Sequence, residues 1–329
     1  MHGLYLLWWV QEKEVSPVVV AAILAAGDLT LLAIELPTGW FADRFGHRVS
    51  LVLGSFVQVL GMLWCWLGEG IGGLVTASVL VALGDGFRSG AGEALLYRTC
   101  LAIDREGDFQ RIQARTSAVE SAALVGLVLA GGLLVNTWGF AAGWIAEVLL
   151  CTVGLAIACA MTEPPAGDLT EAPRTQKVRR HRLSITLASL IIPAALLGGL
   201  AGAASFLAQT AETADATSVT MLVATIALAE AAGSAVASRV PAGGAREQAL
   251  LAVLGVVLFT TGLVYPALFL AVVPALACLD GLAHPLRATL IQRVAADGAR
   301  ARMASLASAC DMAVSTVALP LAGLARSRR

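Results

Sequence analysis

Charge is scarce in this sequence. Asp, Glu, Lys and Arg make up 14% of the 329 residues against 58% apolar, and mean hydropathy is +0.80. So few polar side chains cannot coat a water-soluble globule of this size, so the solvent for most of its surface must be lipid. Histidine is scarcer still: His2, His47, His181 and His284 form no HExxH or other metal spacing, which argues against a metalloenzyme. Cys65, Cys100, Cys151, Cys159, Cys278 and Cys310 include no CxxC pair, so neither a disulfide framework nor a metal site is indicated and core thiols remain. Met1 to Val10 lacks a basic n-region and a cleavage site, so no secretory signal is visible. Period-2 alternation is missing too, which removes a closed barrel and leaves helices as the only way to pair every backbone group inside lipid.

Long apolar runs are what the chain has. A helix needs about 20 apolar residues to cross the hydrocarbon. That ruler gives spans at 16–42, 49–68, 71–97, 117–136, 139–161, 184–208, 217–238, 248–265, 267–291 and 303–324, an all-α polytopic bundle of ten full spans. His2 to Val10 is apolar, with Trp8 and Trp9 at an interface position, and reads as the second half of a further span.

A net charge of -1 is uninformative in such a chain, whereas the placement of charge is not. Arginines and a lysine gather in alternate loops, among them Arg44 and Arg48; Arg98, Arg105, Arg111 and Arg115; Lys177 to Arg182; Arg239 and Arg246; and Arg293 to Arg302. Those loops are expected on the cytoplasmic side of a cell membrane. Three arginines after Ala325 break the pattern: either a final span is missing or the last helix does not cross. Pro164, Pro165, Pro173 and a basic run mark residues 162–183 as a linker between a first half, 1–161, and a second, 184–329. The basic run reads as a topology signal.

Sliding the chain by 195 residues places Glu35, Ala42 and Arg44 on Glu230, Ala237 and Arg239, and Asp85, Gly86, Leu95 and Arg98 on Asp280, Gly281, Leu290 and Arg293. Two halves related by a parallel repeat are thereby expected, with a substrate held between them near the midplane.

Between the first two full spans stands Gly39-Trp-Phe-Ala-Asp43-Arg44-Phe-Gly46-His47-Arg48. Gly46 suits a turn, Gly39 permits close helix approach, and Arg44 and Arg48 hold the loop inside. This segment resembles the signature loop of the major facilitator superfamily, G-x-x-x-D-R-x-G-R-R/K, with His47 in place of a basic residue. The resemblance implies a two-half transporter and assigns Gly39, Asp43, Arg44, Gly46 and Arg48 to a conformational latch between halves. Arg88-Ser-Gly-Ala-Gly92 is similar to the R-x-x-x-G pattern of a later span. Gly126, Gly131 and Gly132 occur without the G-P-x-x-x-G-G antiporter signature.

An ionisable group near the bilayer centre costs at least ~2.5 kcal/mol, so each needs a partner, a cavity or a task. Asp28 and Glu35 are seven apart and share a helix face; Asp85 and Arg88, three apart, can pair. Glu93, Glu120, Glu147, Glu230, Asp280, Arg287 and Asp311 complete the set, of which Glu93, Glu120 and Arg287 lie nearer the cytoplasmic ends and read equally as interface charges. Carboxylates in a low-dielectric cavity can load and release protons. The expected function is a monomeric proton-coupled exporter of small apolar or amphipathic molecules, with H+ as coupling ion and no cofactor or nucleic-acid partner. The alternatives are a sugar or metabolite importer of the same fold, and a non-transporting sensor or inactive truncated relative.

Overall fold

The structure, a computed structural model, describes residues 8–9, 12–15, 17–164, 180–211, 216–241, 243–294, 303–311 and 313–314. Its helices are α1 (Pro17–Phe45), α2 (His47–Leu67), α3 (Gly70–Arg88), α4 (Ala91–Ala102), α5 (Phe109–Ala160), α6 (Arg180–Ala211), α7 (Ala216–Ala237), α8 (Ala245–Val264) and α9 (Phe269–Val294), followed by a helical stretch over 303–311. No strand occurs among the described residues.

Helix bounds track the apolar runs closely, and six stretches among the described residues are long and apolar enough to cross a membrane. One of them contains α5, whose 52 residues would reach ~78 Å if straight, more than twice a hydrocarbon core. Gly139 resolves this: at φ 79 and ψ 174 it turns the helix back on itself, and Trp138 beside it is 75% exposed. The expected spans 117–136 and 139–161 are the two limbs of α5. Most of the linker, residues 165–179, and the end of the last expected span, 315–324, lie outside the described residues, as does the half-span apart from Trp8 and Trp9.

Outward faces are apolar: Leu149 and Val153 on α5, and Leu250, Val253 and Val257 on α8, are each roughly half exposed or more at helical spacing, the pattern of a surface solvated by acyl chains. Inside, Leu197, Ala201, Ala204, Phe259, Val273 and Leu276 form the largest core cluster, and Trp8 stacks edge-on against Trp144 at 5.1 Å in another.

The repeat is visible in the helices themselves. Shifted by 195 residues, α1 and α2 fall on α7 and α8 with every end within four residues, and the packing of α1 and α2 on α3 recurs as the packing of α7 and α8 on α9. Both copies lose a backbone hydrogen bond of the third helix at the same register, by different chemistry. In the first copy Gly90, at φ 65, separates α3 from α4; Ala91 N turns to Ser89 O, and the Phe87 carbonyl this frees accepts Ser50 Oγ at 2.6 Å. In the second copy the equivalent position is Pro285, which has no N–H for the Gly281 carbonyl; Ser234 Oγ on α7 donates to that carbonyl at 2.9 Å. A backbone acceptor freed in a low-dielectric interior is thus satisfied both times by a serine from the adjacent helix.

That bond requires close approach. A Cβ on Gly281 would run into the Glu230 carbonyl, and one on Gly233 into the Cys278 carbonyl, so small residues set the α7–α9 distance. Gly281→Leu should therefore lower thermal stability in detergent by about 1–3 kcal/mol or more through overpacking, whereas Gly126→Ala, which meets open space, should stay within about 0.5 kcal/mol of the parent.

Candidate functional site

Two constellations emerge from this scaffold. The first surrounds the turn between α1 and α2. Gly46 takes φ 105 and has no side chain to cap α2, so the amides of His47 and Arg48 need another acceptor. Glu163 supplies it across 115 residues of chain: its carboxylate accepts His47 N and Arg48 N at 3.0 Å each and pairs with Arg98 Nη1 at 2.9 Å. Arg48 Nη2 donates to Cys159 O at 2.7 Å. An anion at a helix N-terminus, neutralised by an arginine, is a favourable arrangement. Gly39 is buried on α1, Asp43 half-buried, and Arg44 exposed. These Glu163 bonds join elements before residue 165, so this clasp lies within the first set of helices. Sequence reading missed Glu163, although an acidic residue closing an apolar run ahead of a basic stretch was visible.

The second constellation lies where α3, α4, α9 and the 303–311 stretch meet. His284 and Arg287, three apart on α9, share a face. Arg287, 5% exposed, donates through Nη1 to both oxygens of Asp311 at 2.8 Å, and its Nη2 lies 2.9 Å from His284 Nδ1. His284 Nε2 lies 3.3 Å from Glu93 Oε1 on α4. A guanidinium can only donate, so Nδ1 is assigned as acceptor and the ring hydrogen falls on Nε2, facing Glu93. The imidazole therefore bridges a carboxylate from one set of helices and an ion pair from the other. Ser89 Oγ donates to Ser308 Oγ at 3.3 Å beside it.

Glu35 sits against this cluster with 1% exposure. The hydroxyls of Ser89 and Ser305 are near enough to interact with it, as are the charges of Asp85 and Asp311. Among the described residues its Oε2 nevertheless has no hydrogen-bond partner, nor does the fully buried Ser305 Oγ. Asp280 and Asp311 converge on α6, where a Cβ at Gly198 would lie 3.2–3.4 Å from their carboxylates. Asp85 and Arg88 approach to 3.7 Å, both nearly half exposed, a loose pair. Glu120 on α5 interacts with His284, Arg88 and Glu93, and Glu230 on α7 with Asp280, His284 and Glu120, so these carboxylates form one continuous field. Asp28 stands outside it: two turns along α1 from Glu35, it is exposed.

Glu93 and Arg287 are therefore parts of the cluster, not interface charges, and Asp311 has its basic partner on a neighbouring helix. His284, Ser305 and Ser308 were not anticipated as site residues. His284 and Arg287 at spacing three inside an apolar run was the available signal. Among the described residues no group of His, Cys, Asp or Glu is arranged to hold a metal ion.

A groove of about 770 Å³ runs beside the cluster between α2 and the two limbs of α5. Leu51, Leu127, Leu134, Leu150 and Ile157 give it apolar walls, and Arg88, Glu120 and Glu147 reach into it.

Breaking the buried pair from one side leaves an uncompensated charge. Arg287→Met alone should cost about 3–5 kcal/mol of thermal stability, and pairing it with Asp311→Leu should recover most of that loss. A double variant no more stable than the single one would show that the two side chains are not coupled.

The sequence matches the family model of the Major Facilitator Superfamily over residues 2–320. No curated protein matches it. Among solved structures, the transporter FucP in its outward conformation superposes with a TM-score of 0.70 at 12% identity, covering 98% of this chain and 90% of that one. A second structure of FucP, the E. coli fucose:proton symporter, gives 0.69 at 13% identity over 98% and 87%. The human organic anion transporter MFSD10 gives 0.63 at 17% identity over 96% and 82%. With a helical bundle, an internal repeat and the Gly39–Arg48 loop all in place, the family match covers nearly the whole chain, and the protein belongs to the Major Facilitator Superfamily.

Proposed function

We propose that this secondary transporter is proton-coupled and exports small apolar or amphipathic molecules by alternating access, as a monomer in the cell membrane with the Gly46 turn facing the cytoplasm. The observation that carries the reading is Glu35: a buried carboxylate with an unpartnered oxygen beside an ionic bridge between the two sets of helices. Such a group is stabilised by taking up a proton, which removes the cost of an uncompensated charge in a low-dielectric interior. The bridge responds to protons as well. A proton placed on Glu93 removes the carboxylate charge that the His284 Nε2–H faces and weakens this contact between the two sets of helices. Proton entry is thereby linked to separation of the helices that the bridge holds together.

Cargo is inferred from the groove. Among the described residues its walls are mostly leucine, isoleucine, alanine and glycine, with three charged groups and no aromatic ring, which suits a molecule with an apolar body and one polar end. A second reading, import of a sugar or another metabolite, draws support from the fold shared with a fucose:proton symporter. Among the described residues Gln58 is the single amide side chain lining the groove, a thin set of partners for a polyol.

Transport in proteoliposomes tests both. With a proton gradient imposed, lipophilic compounds should be carried and sugars not, and Glu35→Gln should reduce coupled flux roughly tenfold or more, the scale of one charge-assisted hydrogen bond, with insertion intact. Unchanged flux in Glu35→Gln would remove Glu35 from the mechanism. Glu163→Gln weakens a cap and an ion pair away from the cargo, so it should slow turnover by a few fold without altering which compounds are carried.

A further inference from the structure

Three arginines converge in a cleft that the transport reading leaves unused. Arg111 and Arg115, one turn apart at the start of α5, face Arg239 just beyond the end of α7 across a cavity of about 650 Å³, whose remaining lining is Ala118, Val119, Ala235 and Ser238. All three arginines are exposed, and among the described residues none takes part in an ion pair or side-chain hydrogen bond, whereas Arg88, Arg98, Arg105 and Arg287 each have a carboxylate. The cleft is built, not incidental. Gln110 Nε2 donates to Ala237 O at 3.2 Å and Val240 O at 2.6 Å, tying α5 to the end of α7, and Ala114, Ala237 and Leu286 pack together nearby. Ser238 Oγ is engaged with Ala235 O at 2.7 Å. Topological bias accounts for arginines in these loops but not for three of them sharing one concavity with no counter-charge among its described lining residues.

We propose that this cleft binds the phosphate headgroup of an anionic phospholipid. Three guanidinium groups crowded together repel one another, and a phosphodiester between them replaces repulsion with charge-assisted, fork-like hydrogen bonds. The amino end of α5 adds its positive pole at the same place. Position favours a lipid over a soluble anion: Arg111 and Arg115 lie in the first two turns of a membrane-crossing helix, at headgroup depth, and Val119 and Ala118 continue the same helix face toward the acyl region. Basic pockets between membrane helices recognise lipid headgroups in this way. Because one wall is α5 and the other α7, an occupant fixes the spacing between the two sets of helices at this end.

The test is lipid retention by the purified full chain, read by native mass spectrometry after transfer from nanodiscs of phosphatidylcholine mixed with phosphatidylglycerol. Wild-type protein should retain phosphatidylglycerol in preference to phosphatidylcholine, with each Arg→Gln replacement at 111, 115 or 239 weakening retention about fivefold. Arg115→Lys should keep part of the preference, and proteoliposome incorporation confirms that every variant folds. Equal retention of the two lipids, unchanged retention in the triple Arg→Gln variant, or displacement of the lipid by inorganic phosphate at comparable concentration would overturn the assignment.

Discussion

A charge inside an apolar bundle must find its partner within the protein, and Arg287 shows what that demands. Its side chain is almost fully buried, and its guanidinium meets Asp311 on one side and His284 on the other. None of these groups could be left alone at such a site without a cost of several kcal/mol. The close α7–α9 packing, the convergence of Asp280 and Asp311 beside Gly198, and the contact of α4 with α9 are the geometry that brings the partners within reach. Packing and charge are therefore one problem here: the glycine contacts set helix distances, and those distances decide which ions can pair.

The two copies of the repeat solve the same backbone problem with different residues. Gly90 and Pro285 occupy equivalent positions, and each frees a carbonyl that a serine from the neighbouring helix takes up. The consequence differs between copies. A glycine in the left-handed region splits the helix into α3 and α4 and reorients the α4 segment, including Glu93. A proline keeps α9 continuous, so His284 and Arg287 stay on one face on either side of it. An ionic bridge between the two copies is a product of that asymmetry, placed where a two-fold design would have put identical groups.

Much of this was legible in the sequence, because bilayer physics leaves few choices. Helix positions could be read from apolar run lengths, and the 195-residue offset predicted which helices are equivalent. Gly46 could be assigned to a turn because the loop around it is short and basic. Pairing between helices was not legible. Asp311 stands alone on its own helix, and nothing in linear spacing says that Arg287 reaches it. Glu163 was hidden in the same way, since its partners His47, Arg48 and Arg98 lie far upstream. Asp28 and Glu35 show the converse. Their spacing puts them on one helix face, but Glu35 is covered by Ser89 and Ser305 at its level and Asp28 has no such cover.

The central claim is that protons break the bridge between the two sets of helices. Spin labels on Ile103 and Arg246, both exposed and at the end of the bundle that carries the Gly46 turn, report the separation of those sets directly. The account predicts that pulsed dipolar spectroscopy in nanodiscs finds a short distance at neutral pH, and that a longer one gains population as pH falls and Glu93 is protonated. A Glu93→Gln chain should populate the longer distance already at neutral pH. A single distance that ignores both pH and the substitution would contradict the account.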